Sequence, residues 1–415
     1  MPDILAMIMA GGEGKRLYPL TRDRAKPAVP YGGRYRIIDL VLNNMVNSGI
    51  YHIKVLTQFK SDSLNKHINS GWRLSPTLGH YVDAIPAQMK SGQSWYQGTA
   101  DAIHQNINLI EDARPRYVLV FGGDHIYKMD IRPMISYHVE KGADLTIAAM
   151  PVDINLAKEC GVIQIDENWK IIGFQEKPDN PIPIPGQPDK ILASLGNYAF
   201  NKDPLINILH EDSKLPDSQH DFGRNIIPSM IRTHNVYAYN FCSNVVAGVP
   251  DWQMGYWRDV GTVDAYWEAN MELVQVTPAF NLYDQENWPI RTASIPLPPA
   301  KFVFANVEEG RIGHATDSLI SEGCIISGGY VTKSVLSPGV RINSYSHVEE
   351  SILFDGVQVG RYAKLKRVIV DKDVFIPEQM QIGYDLELDR KRFHVTEQGI
   401  VVVAKKSNLQ EVFQN

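Results

Sequence analysis

The chain has 415 residues, 44% of them hydrophobic, more than one ordinary core holds, and this predicts two domains. Its formal net charge of -6, with acids and bases interspersed, gives no broad attraction for nucleic acid or an anionic membrane, so neither is an expected partner and small anions must be held by local sites. Cys160, Cys242 and Cys324 lie far apart without metal-ligand or paired spacing, which predicts a reducing, cytoplasmic setting.

The first apolar run, Ile4 to Ala10, is too short for a signal core or a membrane span and reads as a buried strand. It runs straight into Gly11, Gly12 and Gly14, whose freedom lets backbone N–H groups turn toward an anion at the start of a helix. A dinucleotide fingerprint needs glycine where Leu17 stands, and a Walker loop needs Ser or Thr where Arg16 stands, so neither motif fits. Arg16, Arg24 and Lys26 place cations beside the turn.

Further strands are predicted at Ile53–Thr57, Tyr117–Phe121 and Leu145–Met150, alternating with helical stretches to about residue 245. That alternation predicts an α/β, Rossmann-like, mostly parallel mixed sheet. The strand ending at Gly122-Gly123 puts Asp124 at the C-terminal edge of the sheet, where ligands of such folds bind. Asp124 is therefore a candidate Mg²⁺ ligand or else a helix N-cap, and His125 reads as structural. Glu176 and Lys177, before Pro178, could accept from sugar hydroxyls and hold a phosphate, or form a solvated surface pair. Asp259 either precedes an ordinary helix start at Thr262 or completes a metal site with Asp124.

Two proline-rich stretches follow, a loop at 180–189 and a linker at 283–300. Beyond the linker, aliphatic residues fall at Ile325, Val331, Leu336, Ile342, Val348, Leu353, Val359, Leu365, Val370, Ile376 and Ile382, so that every third step sums to 17. This is the pattern of a hexapeptide parallel β-helix, in which each aliphatic continues a core ladder. The expected division is a catalytic domain over 1–282, the linker over 283–300 and a regulatory or oligomerisation β-helix over 301–415. Such a β-helix does not fix function.

The segments GGEGKRL (11–17), RAKPAVPYGGRYRIID (24–39), WYQGTADA (95–102), FGGDHIYK (121–128), FQEKP (174–178), SLGNY (194–198), HDFG (220–223) and YWRDVGT (256–262), in this order, resemble the ADP-glucose pyrophosphorylase family of nucleotidylyltransferases. The resemblance covers nearly the whole chain, and it implies a left-handed β-helix behind the catalytic domain. It implies joining ATP to α-D-glucose 1-phosphate, with release of pyrophosphate, for glycogen or α-glucan synthesis. On that basis Gly11, Gly12, Gly14, Arg16 and Lys26 face the nucleotide, and Asp124 and Asp259 bind Mg²⁺. Tyr96, Gly161, Glu176, Lys177 and Ser194 hold glucose 1-phosphate, with Arg16, Asp124, Lys177 and Asp259 as the catalytic set.

Gln58 and Trp95 match positions of communication between regulator and active sites, and Arg24, Arg36, Lys391 and Arg392 occupy basic positions consistent with an anionic-effector site between the domains, the run 389–392 reading alternatively as a solvated face. A homotetramer is implied as well. Asp23 and Pro30 replace basic or histidine residues of some bacterial members, which leaves the effector's identity open. Competing readings are a UTP- or dTTP-dependent glucose-1-phosphate nucleotidylyltransferase, an acyltransferase working through His347, and a non-catalytic regulatory homologue.

Overall fold

The computed structural model describes residues 3–89, 95–283, 286–407 and 409. Its first half is built on strands β1 (Ile4–Ala10), β2 (His52–Thr57), β3 (Tyr81–Pro86), β4 (Tyr117–Gly122), β5 (His125–Tyr127), β6 (Leu145–Asp153), β7 (Gly161–Ile165), β8 (Ile171–Glu176), β9 (Lys190–Asn201), β10 (Val236–Asn240) and β11 (Trp257–Asp259). Nine of these form one mixed sheet in the order β8-β7-β9-β4-β1-β2-β3, with β6 pairing β9 and β10. The β3-β2-β1-β4 half is parallel, while β9 runs antiparallel to β4, β6 and β7.

The central strand explains the layering. Ala6 and Ile8 of β1 face one core with Ile38, Val41 and Phe121, whereas Leu5 and Met7 face another with Val118, Val120 and Ile103. Alternate side chains thus bury themselves on opposite faces, which is why the run is apolar throughout rather than alternating. The helices α1 (Ile37–Asn47), α2 (Asp62–Gly71), α3 (Thr99–His104), α4 (Ile107–Ala113), α5 (Ile131–Glu140), α6 (Lys202–Asp212), α7 (Ile227–Thr233) and α8 (Val263–Leu273) complete this half.

From Lys301 the chain winds into a left-handed parallel β-helix of three sheets, with five, five and six strands. Val331, Val348, Leu365 and Ile382 stack in register along one sheet, and Leu336, Leu353 and Val370 along another, all at 0–1% exposure. The expected ladder needs one correction at its start. Ile326, not Ile325, lies beneath Ile342, because this early coil is one residue shorter than the later ones and pairs Ile325 with Arg341. The ladder of Leu336 continues from Val370 to Val403, with α9 (Leu386–Arg392) inserted between.

The two halves share a core. Leu17, Leu20, Tyr31, Val260 and Tyr266 pack with Val335, Ile352, Phe354 and Ile369 of the β-helix. The connecting stretch is pinned: Trp288 is 2% exposed, and Arg291 exchanges backbone hydrogen bonds of 2.7 and 2.8 Å with the Asn43 amide of α1.

Candidate active site

Parallel pairing of β1 with β4 sets Met9 beside Gly122, so the glycine loop and Asp124 emerge next to each other at the C-terminal edge of the sheet. Antiparallel pairing of β5 with β11 then brings Asp259 opposite His125. Thr262, not Asp259, caps α8 by accepting from the Ala265 N–H at 3.2 Å, so the Asp259 carboxylate is not spent on the helix and faces the cleft. Asp124 likewise caps no helix, since it lies in the turn between β4 and β5.

These elements line one cavity of 530 Å³ with Gly11, Gly12, Gly14, Lys26, Gln58, Tyr96, Gly161, Glu176, Lys177 and Ser194. A Cβ at Gly12 would meet nothing within 4 Å, so that side of the loop faces open space. Gly161 is required by packing, because a side chain there would strike the Phe174 ring.

Lys26 stands between the two aspartates, its Nζ 3.0 Å from Asp124 Oδ2 and 2.7 Å from Asp259 Oδ1. Burial opposes its charge, yet the two carboxylates overcome this and raise its pKa above the ordinary lysine value. Burial also opposes ionisation of Asp124, but Lys26 and then His125 hold it well below the usual carboxylate range. Ligand atoms of Asp124, His125 and Asp259 lie within 4.8 Å of one another. Hard carboxylate oxygens around a point already held by a cation fit a divalent metal.

Arg16 reaches the same cluster from the rim, with Nη1 2.8 Å from Glu159 Oε2 and Nη2 3.5 Å from Asp259 Oδ2. In the same cavity, Glu176 lies 3.7 Å from Lys177 Nζ, and its pKa is raised by burial against the opposing pull of that lysine. Tyr96 is oriented by Asn106, which donates to its hydroxyl at 2.9 Å. Gln58 accepts from the Tyr96 N–H at 2.9 Å and packs beneath Gly11, linking the glycine loop to the segment of Trp95, which is exposed.

The structure adds residues that the sequence reading left without a role. His125, read as structural, lines the cavity beside Asp124, as do Glu159, Trp257 and Asp221. Asp221 caps the turn that follows it, accepting from the Gly223 and Arg224 N–H groups at 2.9 and 3.1 Å, and it receives the Thr99 hydroxyl at 3.0 Å. Its signal in the sequence was the HDFG segment, where an aspartate stands immediately before a helical turn, as N-caps do. Gly98 secures this arrangement, since a Cβ there would collide with the carbonyl oxygens of Gln219 and His220. Gly98→Ala is expected to cost about 1–3 kcal/mol, as over-packing against backbone does, and to lower the thermal midpoint in a calorimetric scan.

Of the four basic positions expected at an effector site, Arg24 and Arg36 lie within electrostatic reach of each other, and of the four only Arg36 lines the cavity between the halves. Arg36 lines a second cavity of 310 Å³ between the halves, with Arg34, Lys66 and Lys372. Arg24 is instead buried in an ion pair with Asp371, because the shared core closes over it. Lys391 and Arg392 end α9 and do not line that cavity.

An edge of parallel strands carrying a glycine loop, two carboxylates and flanking cations defines a nucleotidyl transferase, and the Nucleotidyl transferase family model matches residues 5–276. A second model, GlmU-like, C-terminal hexapeptide, matches residues 298–403. Among similar proteins are the glucose-1-phosphate adenylyltransferases of Anaeromyxobacter sp. (strain Fw109-5), 56% identical over 98% of this chain and 98% of that one, and of Thermus thermophilus, 55% identical over 97% and 98%. That of Koribacter versatilis (strain Ellin345) is 49% identical over 99% and 97%. The chain belongs to the glucose-1-phosphate adenylyltransferase family. Among the described residues no helix is long and apolar enough to cross a membrane.

Proposed function

We propose that this protein converts ATP and α-D-glucose 1-phosphate to ADP-glucose and pyrophosphate, supplying glycogen or α-glucan synthesis. The observation that carries the reading is the single cavity shared by the glycine loop, the Lys26-bridged pair Asp124 and Asp259, and the Glu176-Lys177 step. A phosphate oxygen of glucose 1-phosphate attacks the α-phosphorus of ATP in line as the bond to pyrophosphate breaks. The nucleophile is already an anion, so positioning and charge neutralisation supply the catalysis and no enzyme-bound intermediate is needed.

In this scheme Gly11, Gly12 and Gly14 present backbone to the triphosphate, Arg16 steadies the departing pyrophosphate, and Lys26 moves its charge from the carboxylates toward phosphate. Tyr96, Gly161, Glu176 and Ser194 orient the sugar, and Lys177 holds its phosphate. Mg²⁺ held by Asp124 and Asp259 would supply further neutralisation of the phosphates. Gln58 and Trp95 serve communication between the regulatory and active sites.

The same proposal divides the chain into a catalytic domain to residue 282, a linker to 300 and a β-helix to 415, assembled as a homotetramer in the cytosol. Its regulation would rest on an anionic metabolite in the cavity of Arg36, where Arg34, Lys66 and Lys372 supply local positive charge. The test is pyrophosphate release from glucose 1-phosphate with ATP, UTP, dTTP and GTP. ATP is expected to be preferred, and preference for UTP or dTTP would move the chain to the neighbouring specificity. Repeating the ATP assay with fructose phosphates, pyruvate and 3-phosphoglycerate reads regulation, and no response to any of them removes that part.

A further inference from the structure

Two buried charges join distant parts of the chain. Arg24 Nη2 donates to Asp371 Oδ1 at 2.7 Å and Nη1 to Oδ2 at 3.1 Å, with side-chain exposures of only 4% and 2%. Arg24 belongs to the segment that turns beneath the glycine loop. Its Nη1 also donates to the Leu20 carbonyl at 3.1 Å, the Thr21 hydroxyl donates to the Gly14 carbonyl at 3.0 Å, and a Cβ on Gly14 would press on Lys26 Cβ at 2.9 Å. Two residues after Arg24 comes Lys26, the cation between Asp124 and Asp259.

Asp371 is itself held firmly. Its N–H donates to the Val403 carbonyl at 2.9 Å, and Oδ1 also accepts from the Lys372 N–H at 2.7 Å. From the other side α8, which follows Asp259, docks on the same β-helix. Trp267 donates to the Glu350 carbonyl at 2.8 Å, the Thr396 hydroxyl donates to Asp264 at 2.6 Å, and Tyr266 packs edge-on against Phe354, the ring that also lies under Arg24. The β-helix therefore grips both chain segments that supply the cluster, one on the Lys26 side and one on the Asp259 side.

We infer that Asp371 is a positioning residue for the transfer site, acting through Arg24 to set where Lys26 stands between the two carboxylates. This rests on reading the cavity as the nucleotidyl-transfer site. A bidentate buried pair has one good geometry, and neither charge can relax into water if the segment shifts. Such a pair adds little stability over apolar replacements, so its effect is to select one position of the 20–28 segment.

The experiment uses the full chain and two readouts, Mn²⁺ binding followed by electron paramagnetic resonance without substrates, and steady-state ADP-glucose formation. Asp371→Asn keeps the shape and removes the charge. With Lys26 less firmly held as the internal cation, Mn²⁺ is expected to bind about tenfold tighter, the size of one weakened charge-assisted hydrogen bond. Over the same change kcat falls about tenfold, because Lys26 is no longer aimed, while the KM for glucose 1-phosphate stays within about twofold. A merely structural contact would lower the thermal midpoint and move neither quantity, and absence of either shift overturns the inference.

Should Asp371→Asn not fold, the double variant Arg24→Met/Asp371→Leu replaces the pair with apolar side chains and is read in the same way. Failure of that variant to fold also overturns the inference, since the pair would then serve folding alone. Absence of ADP-glucose formation by the unaltered chain would instead remove the functional reading, and the Mn²⁺ comparison would still report on Asp371.

Discussion

Asp124→Asn is expected to lower kcat by roughly a thousandfold or more, with protein that remains folded. The substitution keeps the volume of the side chain but replaces one of the two carboxylates that face Lys26 and would hold the metal. Charge stabilisation of a transferring phosphoryl group by a metal is worth several kcal/mol, and about 4 kcal/mol corresponds to roughly that factor in rate. The ionised state of Asp124, maintained by Lys26 and His125 against burial, means that this loss should be seen across the whole neutral range of pH. Pyrophosphate release at saturating substrates, with Mg²⁺ titrated to high concentration, measures it. A kcat within tenfold of the unaltered enzyme would show that the carboxylate pair is not the metal site.

The second large effect falls on the sugar side. Lys177→Ala should raise the KM for glucose 1-phosphate by about 10- to 100-fold, since a hydrogen bond to a charged group contributes about 1.5–3 kcal/mol. The KM for ATP should change far less, because Lys177 is assigned to the sugar phosphate and not to the triphosphate. Its side chain is half exposed, at 51%, so it is available to a ligand rather than consumed by the 3.7 Å contact with Glu176. The alanine also removes the charge without touching the sheet that positions Glu176. An unchanged KM for glucose 1-phosphate, with kcat reduced instead, would reassign Lys177 to the transfer step.

Much of this site was legible in residue order alone. An apolar run ending in glycines, another ending in Gly-Gly-Asp, and a Glu-Lys-Pro step each state a local conformation and a local chemistry. The β-helix was legible for a different reason. Stacked coils repeat one environment, so the aliphatic positions recur at a fixed interval whatever the rest of the chain does. The error of one residue at Ile325 arose where the early coils are one residue shorter than the later ones, so that the interval read from the later coils overshoots there.

What stayed hidden were pairings between distant residues. Arg24 in a run of cations looks like an anion site, and only packing against Phe354 and Asp371 reveals that its charge is already matched and buried. Asp221 and His125 were visible as letters, but their approach to the cavity depends on how the Asp221 turn folds against α3 and how β5 pairs with β11.

By itself the sequence determined four of the strands, the glycine turn, the carboxylates and the repeat, because each follows from interactions among near neighbours: apolar runs, backbone freedom at glycine, and the spacing of a coil. Tertiary structure alone decided that Lys26 lies between Asp124 and Asp259, and that Asp371 of the β-helix is locked to Arg24, two residues before that lysine. Such contacts are set by the closing of one core over both halves, and charge pairing across 347 positions leaves no mark on local spacing.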